Sequence, residues 1–221
     1  MTSASAPPIR LEELRYLANG APVLDGLDLT IQQGEIFAIL GRSGTGKTTL
    51  LRLIMGLLRP TSGRIWINGR EIARLSEPQL DEVRLDMGLV FQGAALFDSL
   101  SVAENVAFGL VEHRGLPSSE IVARVAELLK VVEMSGTEHL LPAQLSGGMR
   151  KRVGIARALA LAPSIMLYDE PTAGLDPISA AAINHLIQRL RDQVGGTSLV
   201  VSHDVESLRK IGLTATCNSG G

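Results

Sequence analysis

A chain of 221 residues with 45% hydrophobic and 20% charged side chains has the apolar mass for one large domain or two lobes, which excludes a disordered or fibrous protein. Its formal net charge of −2 gives no overall basic field for nucleic acid, and the single cysteine, Cys217, has no intramolecular partner for a disulfide. There is no apolar leader at the N-terminus, and the longest apolar stretch, Ile155 to Tyr168, is broken by Arg157 and Pro163 well short of the ~20 residues of a membrane span, so a cytoplasmic chain with a peripheral membrane role is expected.

Residues 1–8, MTSASAPP, offer little to bury and read as a loose tail, with order beginning near Ile9. EIFAIL, Glu35 to Leu40, is a short apolar run that ends in a Gly-rich loop and opens into the periodic TTLLRLIMGLL, a strand, a turn and a helix. GLVFQ, IMLYDEP and SLVVSHD repeat the pattern of an apolar run closed by a polar group, as buried parallel strands do when their C-terminal ends meet a ligand. Between the first two of these, Ile121, Val125, Leu128, Leu129 and Val132 fall on one helical face behind Ser118 and Ser119 as caps. Periodicity alone leaves a separate helical lobe and an ordinary crossover helix equally open.

Gly41, Gly46, Lys47 and Thr48 match G-x-x-x-x-G-K-[ST] between a strand and a helix, a phosphate cradle whose glycines admit backbone N–H groups to the phosphate oxygens. Lys47 is expected to reach the β- and γ-phosphates and Thr48 to bind Mg²⁺, with Ser43, Gly44 and Thr49 completing the nucleotide-binding set. A surface loop with a stray lysine is the alternative, but a chance match in a chain of this length is on the order of one in a hundred.

Asp169 and Glu170 close an apolar strand, so the sheet directs them to the same crevice. Asp169 suits Mg²⁺ and Glu170 suits general-base activation of water. His203 ends a further strand, where imidazole meets the γ-phosphate or the attacking water, and Gln92 ends GLVFQ, where an amide senses Mg²⁺ and water. LSGG supplies a second helix start, Ser146, Gly147 and Gly148, able to hold phosphate, although SGG by itself most often marks a loop.

Taken together, GRSGTGKTT, the glutamine of VFQ, LSGG, LYDEP, GLD and the histidine of VSHD resemble, in order and spacing, the ABC transporter ATP-binding subunits, over about Tyr16 to Leu208. The resemblance implies an α/β P-loop NTPase with a RecA-like core, an antiparallel β subdomain and a helical subdomain at about 93–160, within an ABC ATPase domain over 9–209. It implies that two copies pair head to tail, so that each ATP lies between the Gly-rich loop of one and the LSGG helix of the other. Ser146 and Gly148 then grip the γ-phosphate in the partner's site, Asp176 of GLD signals across the interface, Tyr16 stacks on adenine, and helices between Gly93 and Met134 receive a membrane permease.

Met149, where most of the family carries glutamine, together with FQGAALFDSLSVAENVAFGL and EHRGLP, is similar to the ATPases of Mla-type phospholipid transporters. That likeness implies ATP hydrolysis coupled to lipid transport at the cytoplasmic face of the inner membrane, with an Mce-domain lipid-binding protein and a STAS-domain subunit as further partners. Residues 210–221 depart from the pattern and read as a truncation, a shifted frame or a natural variant. Three alternatives stand beside this reading: the ATPase of another transporter, a soluble ABC-type ATPase acting on DNA or ribosomes, and a subunit that binds nucleotide without turnover. A coiled-coil insertion or a second cassette, which the DNA- and ribosome-acting types carry, is not visible in the sequence.

Overall fold

The computed structural model describes residues 6–113, 115–204 and 214–217 and contains two sheets. The first is antiparallel, in the order β2-β1-β4-β5, from β1 (Ile9–Ala18), β2 (Ala21–Ile31), β4 (Ser62–Ile67) and β5 (Arg70–Glu71). Its two tight hairpins close on Asn19-Gly20 and Asn68-Gly69, and all four residues have positive φ, the pair of left-handed residues that a type I′ turn needs.

The second sheet is parallel throughout, in the order β6-β7-β8-β3-β9. Its strands are β3 (Ile36–Leu40), β6 (Met87–Val90), β7 (Ile165–Asp169), β8 (Thr197–Ser202) and β9 (Thr214–Cys217). Alternate side chains enter opposite cores. Ala38, Tyr168 and Val200 face the side covered by α3 (Val102–His113), α4 (Ser118–Val131), α5 (Gly147–Leu159) and α6 (Pro177–Val194). Phe37, Leu167 and Leu199 face α1 (Lys47–Ile54), α2 (Glu77–Arg84) and the antiparallel sheet. Burial on both faces explains why these strands read as continuous apolar runs, each buried Leu or Val contributing about 1.5–3 kcal/mol.

α4 packs on α3 and α5, with Val125, Leu128, Leu129 and Val132 buried and Ile121 at the rim. Its cap differs from expectation. Pro117 is the N-cap, in an extended conformation with its carbonyl accepting from Glu120 and Ile121, and Ser118 already lies inside the first turn. Proline fixes φ near the value that leads the chain into the helix, and no side chain caps the first turn. The hydroxyl-carboxylate pair Ser101 and Glu104 instead caps the start of α3 reciprocally.

In the C-terminal segment, Thr214–Cys217 forms β9 and pairs in parallel with β3, so the edge of β3 beyond β8 is covered. The first five residues of the N-terminal tail and the rest of 205–221 lie outside the described residues. Among the described residues no helix is long and apolar enough to cross a membrane.

Candidate functional site

The Gly-rich loop leaves β3 at Leu40 and enters α1 at Lys47. Gly46, the helix N-cap, has φ 87°, and a Cβ there would lie 2.8 Å from Cγ1 of Val23 on the neighbouring hairpin. A Cβ on Gly41 would lie 2.7 Å from Oγ1 of Thr45. Gly46, left-handed and crowded by Val23, admits only glycine, whereas a side chain at Gly41 would have to displace the Thr45 hydroxyl. No side chain caps α1 and its first turn holds no acid, so the N–H groups of Lys47, Thr48 and Thr49 precede the first helical bond, from Leu50 to the Gly46 carbonyl. Unpaired N–H groups at the positive end of a helix dipole make an anion site. Ser43 and Gly44 lie exposed in the same loop.

Lys47 is 8% exposed and folds back over the loop, donating to the carbonyls of Gly41 at 2.7 Å and Arg42 at 2.9 Å. Its ammonium is 3.4 Å from Oε1 of Glu170. The Thr48 hydroxyl donates to Oδ1 of Asp169 across 3.1 Å. Burial raises the Asp169 carboxyl above the ordinary range, the Thr48 bond opposes that shift, and the neighbouring Glu170 adds to it. A hydroxyl and a carboxylate oxygen side by side at a phosphate-ready helix end form a hard-oxygen donor set that fits Mg²⁺ beside a nucleotide.

Glu170 follows β7 with φ 48°, a left-handed conformation rare for a side-chain-bearing residue and costing about 1–3 kcal/mol. Its neighbours hold it there. The Glu170 N–H donates to Val201 on β8 at 2.9 Å, and its Oε2 takes the His203 backbone N–H at 3.2 Å and lies 2.8 Å from His203 Nδ1. Thus Lys47, Thr48, Asp169, Glu170 and His203, drawn from α1 and the ends of β7 and β8, converge in one crevice. Gln92, just beyond β6, has an exposed side chain and a backbone carbonyl that receives the Lys151 ammonium. Tyr16 sits half-buried on β1 opposite Leu24, whose Cδ2 lies 3.4 Å from where a Gly46 Cβ would be. The hairpin that carries Tyr16 therefore borders the loop.

Ser146, Gly147 and Gly148 stand elsewhere. Ser146 caps α5, its Oγ accepting from the Met149 N–H at 3.2 Å. Asp176 caps α6, its Oδ1 accepting from Ile178 and Ser179 at 3.0 Å each. Hydrogen bonds from Ser179 hold the Asp176 carboxyl below its usual value. A Cβ on Gly148 would lie 3.6 Å from Ser179, so the two helix ends form one exposed corner. Among the described residues no hydrogen bond or ion pair joins Ser146, Gly147, Gly148 or Asp176 to the Gly-rich loop. Lys151 escaped the sequence reading; it lies four residues before Ile155 on the buried stripe of α5, and a lysine on an apolar stripe was the available signal.

Residues 24–173 match the family model described as ABC transporter. The chain is 45% identical over 203 residues to the intermembrane phospholipid transport system ATP-binding protein MlaF of Haemophilus influenzae, covering 92% of this chain and 77% of that protein. It is 44% identical over 208 residues to the methionine import ATP-binding protein MetN of Mesorhizobium japonicum, covering 94% of this chain and 57% of that one, so it spans little more than half of such relatives. Among solved structures, cbiO1 from Clostridium perfringens, part of the ABC transporter complex cbiONQ, superposes with a TM-score of 0.84 at 36% identity, covering 92% of this chain and 81% of that one. The dimeric ATP-binding cassette MJ0796 bound to ADP and Pi superposes with a TM-score of 0.83 at 35% identity over 91% of this chain and 90% of that chain.

Proposed function

The chain belongs to the ABC transporter family as one of its ATP-hydrolysing cassettes, and on that premise we propose that it pairs head to tail with a second copy and drives a membrane permease that moves phospholipid between membranes. The observation that carries the pairing is the presence in one chain of two phosphate-ready helix ends with no bond between them: α1 behind the Gly-rich loop, and α5 behind Ser146. A two-fold pairing brings each loop against the other copy's α5. Likeness to MlaF and the segment around Met149 support lipid as the cargo.

In this reading Lys47 exchanges the Gly41 and Arg42 carbonyls for the β- and γ-phosphate oxygens, and the N–H groups of the loop and of Lys47, Thr48 and Thr49 close around them. Tyr16 stacks on the adenine. Thr48, Asp169 and Gln92 would hold Mg²⁺, which would supply charge neutralisation at the phosphates. Glu170 takes a proton from water as its oxygen attacks the γ-phosphorus and ADP leaves, and His203 fixes the Glu170 carboxylate and contacts the γ-phosphate. Ser146, Gly147 and Gly148 bind the γ-phosphate of the partner's nucleotide, and Asp176 stands at the junction beside them. Closure on ATP and reopening after hydrolysis move the permease, which sits on the helices between Gly93 and Met134. The cassette is peripheral to the cytoplasmic face of the inner membrane, with Mce-domain and STAS-domain proteins as further partners and nucleic acid as none.

Mixing two inactive variants tests the sandwich. Lys47→Ala removes the loop ammonium, while Ser146→Asp keeps a good N-cap but repels phosphate. In a mixed dimer both lesions fall in one site and the other is intact, so a one-to-one mixture should recover about a quarter of wild-type sites. A mixture of folded variants in which MgATP drives no mixed dimer, by light scattering, refutes head-to-tail pairing. A second reading, methionine import, is favoured by the likeness to MetN. ATPase stimulation by phospholipid rather than methionine, measured on the cassette with its co-purified permease, decides between them.

A further inference from the structure

From the buried lysine of α5 we infer that Lys151 is a positioning residue, whose ammonium ties the helix carrying Ser146–Gly148 to the backbone of both Gln92 and Glu170. Lys151 is 5% exposed, and its Nζ donates to the Gln92 carbonyl and, at 3.2 Å, to the Glu170 carbonyl. Burial lowers its pKa, while the nearby Asp169 and Glu170 carboxylates oppose that shift. A desolvated cation is retained only where its partners repay the cost, and here the partners are two backbone carbonyls flanking the hydrolytic crevice.

These two carbonyls belong to the residues whose side chains must be aimed at water and Mg²⁺. Gln92 lies in an irregular segment just beyond β6, followed by Ala94 and Ala95, both at positive φ. Glu170 is itself left-handed, and its carbonyl takes a second donor, the Ala173 N–H at 3.1 Å. Neither peptide is held by a regular ladder on its carbonyl side, so the ammonium sets their separation. α5 begins at Gly147, and Lys151 sits about one turn further on. A movement of the helix start toward the partner's phosphate is therefore delivered directly to Gln92 and Glu170 of the same chain. Lys151 makes hydrolysis at a chain's own site depend on what its Ser146–Gly148 corner is holding.

The inference rests on the hydrolytic reading of Gln92 and Glu170. It is tested in the full chain with Lys151→Met, which keeps length and volume without donors, and Lys151→Gln, whose amide supplies two. A shift of an ångström or less at a reacting group costs up to about 100-fold, so Lys151→Met should lower kcat roughly 10- to 100-fold, with the Kd for methylanthraniloyl-ATP within about twofold of wild type. Lys151→Gln should recover at least about fivefold of that loss, and the Hill coefficient for ATP should fall toward one in Lys151→Met alone. Should Lys151→Met not fold, Lys151→Ala, which admits water to both carbonyls, carries the same test. The inference is overturned by a donor-less variant that turns over at the wild-type rate, by equal losses in kcat and ATP affinity, or by a Lys151→Gln protein as slow as Lys151→Met. Glu170→Gln is the control. If it hydrolyses ATP normally, the hydrolytic reading fails and takes this inference with it; if it is dead while Lys151→Met is normal, the inference alone fails.

Discussion

Replacing Glu170 by glutamine preserves the shape of the crevice and removes one charge, and the structure separates its two consequences. Oε1 of Glu170 lies 3.4 Å from the Lys47 ammonium, with both side chains about nine-tenths buried. Breaking a buried pair costs about 3–5 kcal/mol when the surviving charge is left bare. Lys47 keeps the Gly41 and Arg42 carbonyls, and glutamine still offers His203 an acceptor, so the expected loss is about 2 kcal/mol. For a domain of this size that is a fall of roughly 4–8 °C in Tm. With MgATP bound, phosphate replaces the carboxylate as the partner of Lys47, and the variant should melt within about 2 °C of wild type. Turnover should fall about 10²- to 10⁴-fold, the usual contribution of a general base. Scanning calorimetry with and without MgATP and a steady-state phosphate-release assay measure both. An unchanged turnover rate, or a Tm deficit that MgATP leaves in place, would refute the assignment of Glu170.

Asp169→Asn should stabilise the nucleotide-free protein in EDTA. Burial raises the folded-state pKa of Asp169, so its effect on stability is most favourable below the unfolded value near 3.9 and turns unfavourable as pH rises from there through the raised pKa. Urea unfolding should accordingly show the gap between variant and wild type opening as pH climbs above about 4, and MgATP should protect only the wild type. Asn105, fully buried, accepts from the Phe97 N–H and donates to the carbonyls of Phe97, Leu100 and Ser101. Asn105→Ala should cost about 2–4 kcal/mol in urea unfolding and leave the Kd for ATP unaltered; an unchanged midpoint argues against this latch. Tyr16→Ala should weaken ATP about tenfold by fluorescence titration if its ring stacks on adenine, and equal affinity would remove Tyr16 from the site.

The strands that carry the chemistry were legible because they are buried on both faces, which forces continuous apolar runs such as IFAIL and IMLYD that stop abruptly at polar residues. The Gly-rich loop was legible because its function resides in local backbone geometry, and local geometry is written in local spacing. The Asn-Gly pairs at 19–20 and 68–69 encoded the hairpins of the antiparallel sheet with equal clarity and went unread. The N-cap of α4 falls at Pro117 rather than at Ser118 or Ser119, because the fixed φ of proline turns the chain into the helix before either serine.

Local sequence carries the inventory: a phosphate-binding loop, two acids at one strand end, a histidine at another and a second helix start for an anion. Which of these share a crevice follows from the way the sheet is assembled. Thr48 and Asp169 are 121 residues apart, and Glu170 and His203 are 33 apart, so their contacts depend on the order of β3, β7 and β8 in the sheet rather than on any periodicity. Tertiary structure likewise decided that Thr214–Cys217 lies beside β3, that Glu170 is held left-handed, and that Lys151 turns inward to two carbonyls. The division has one physical reason: a turn, a cap or an amphipathic face is decided by neighbours in the chain, whereas the partner of a buried charge is decided by whatever the fold delivers to it.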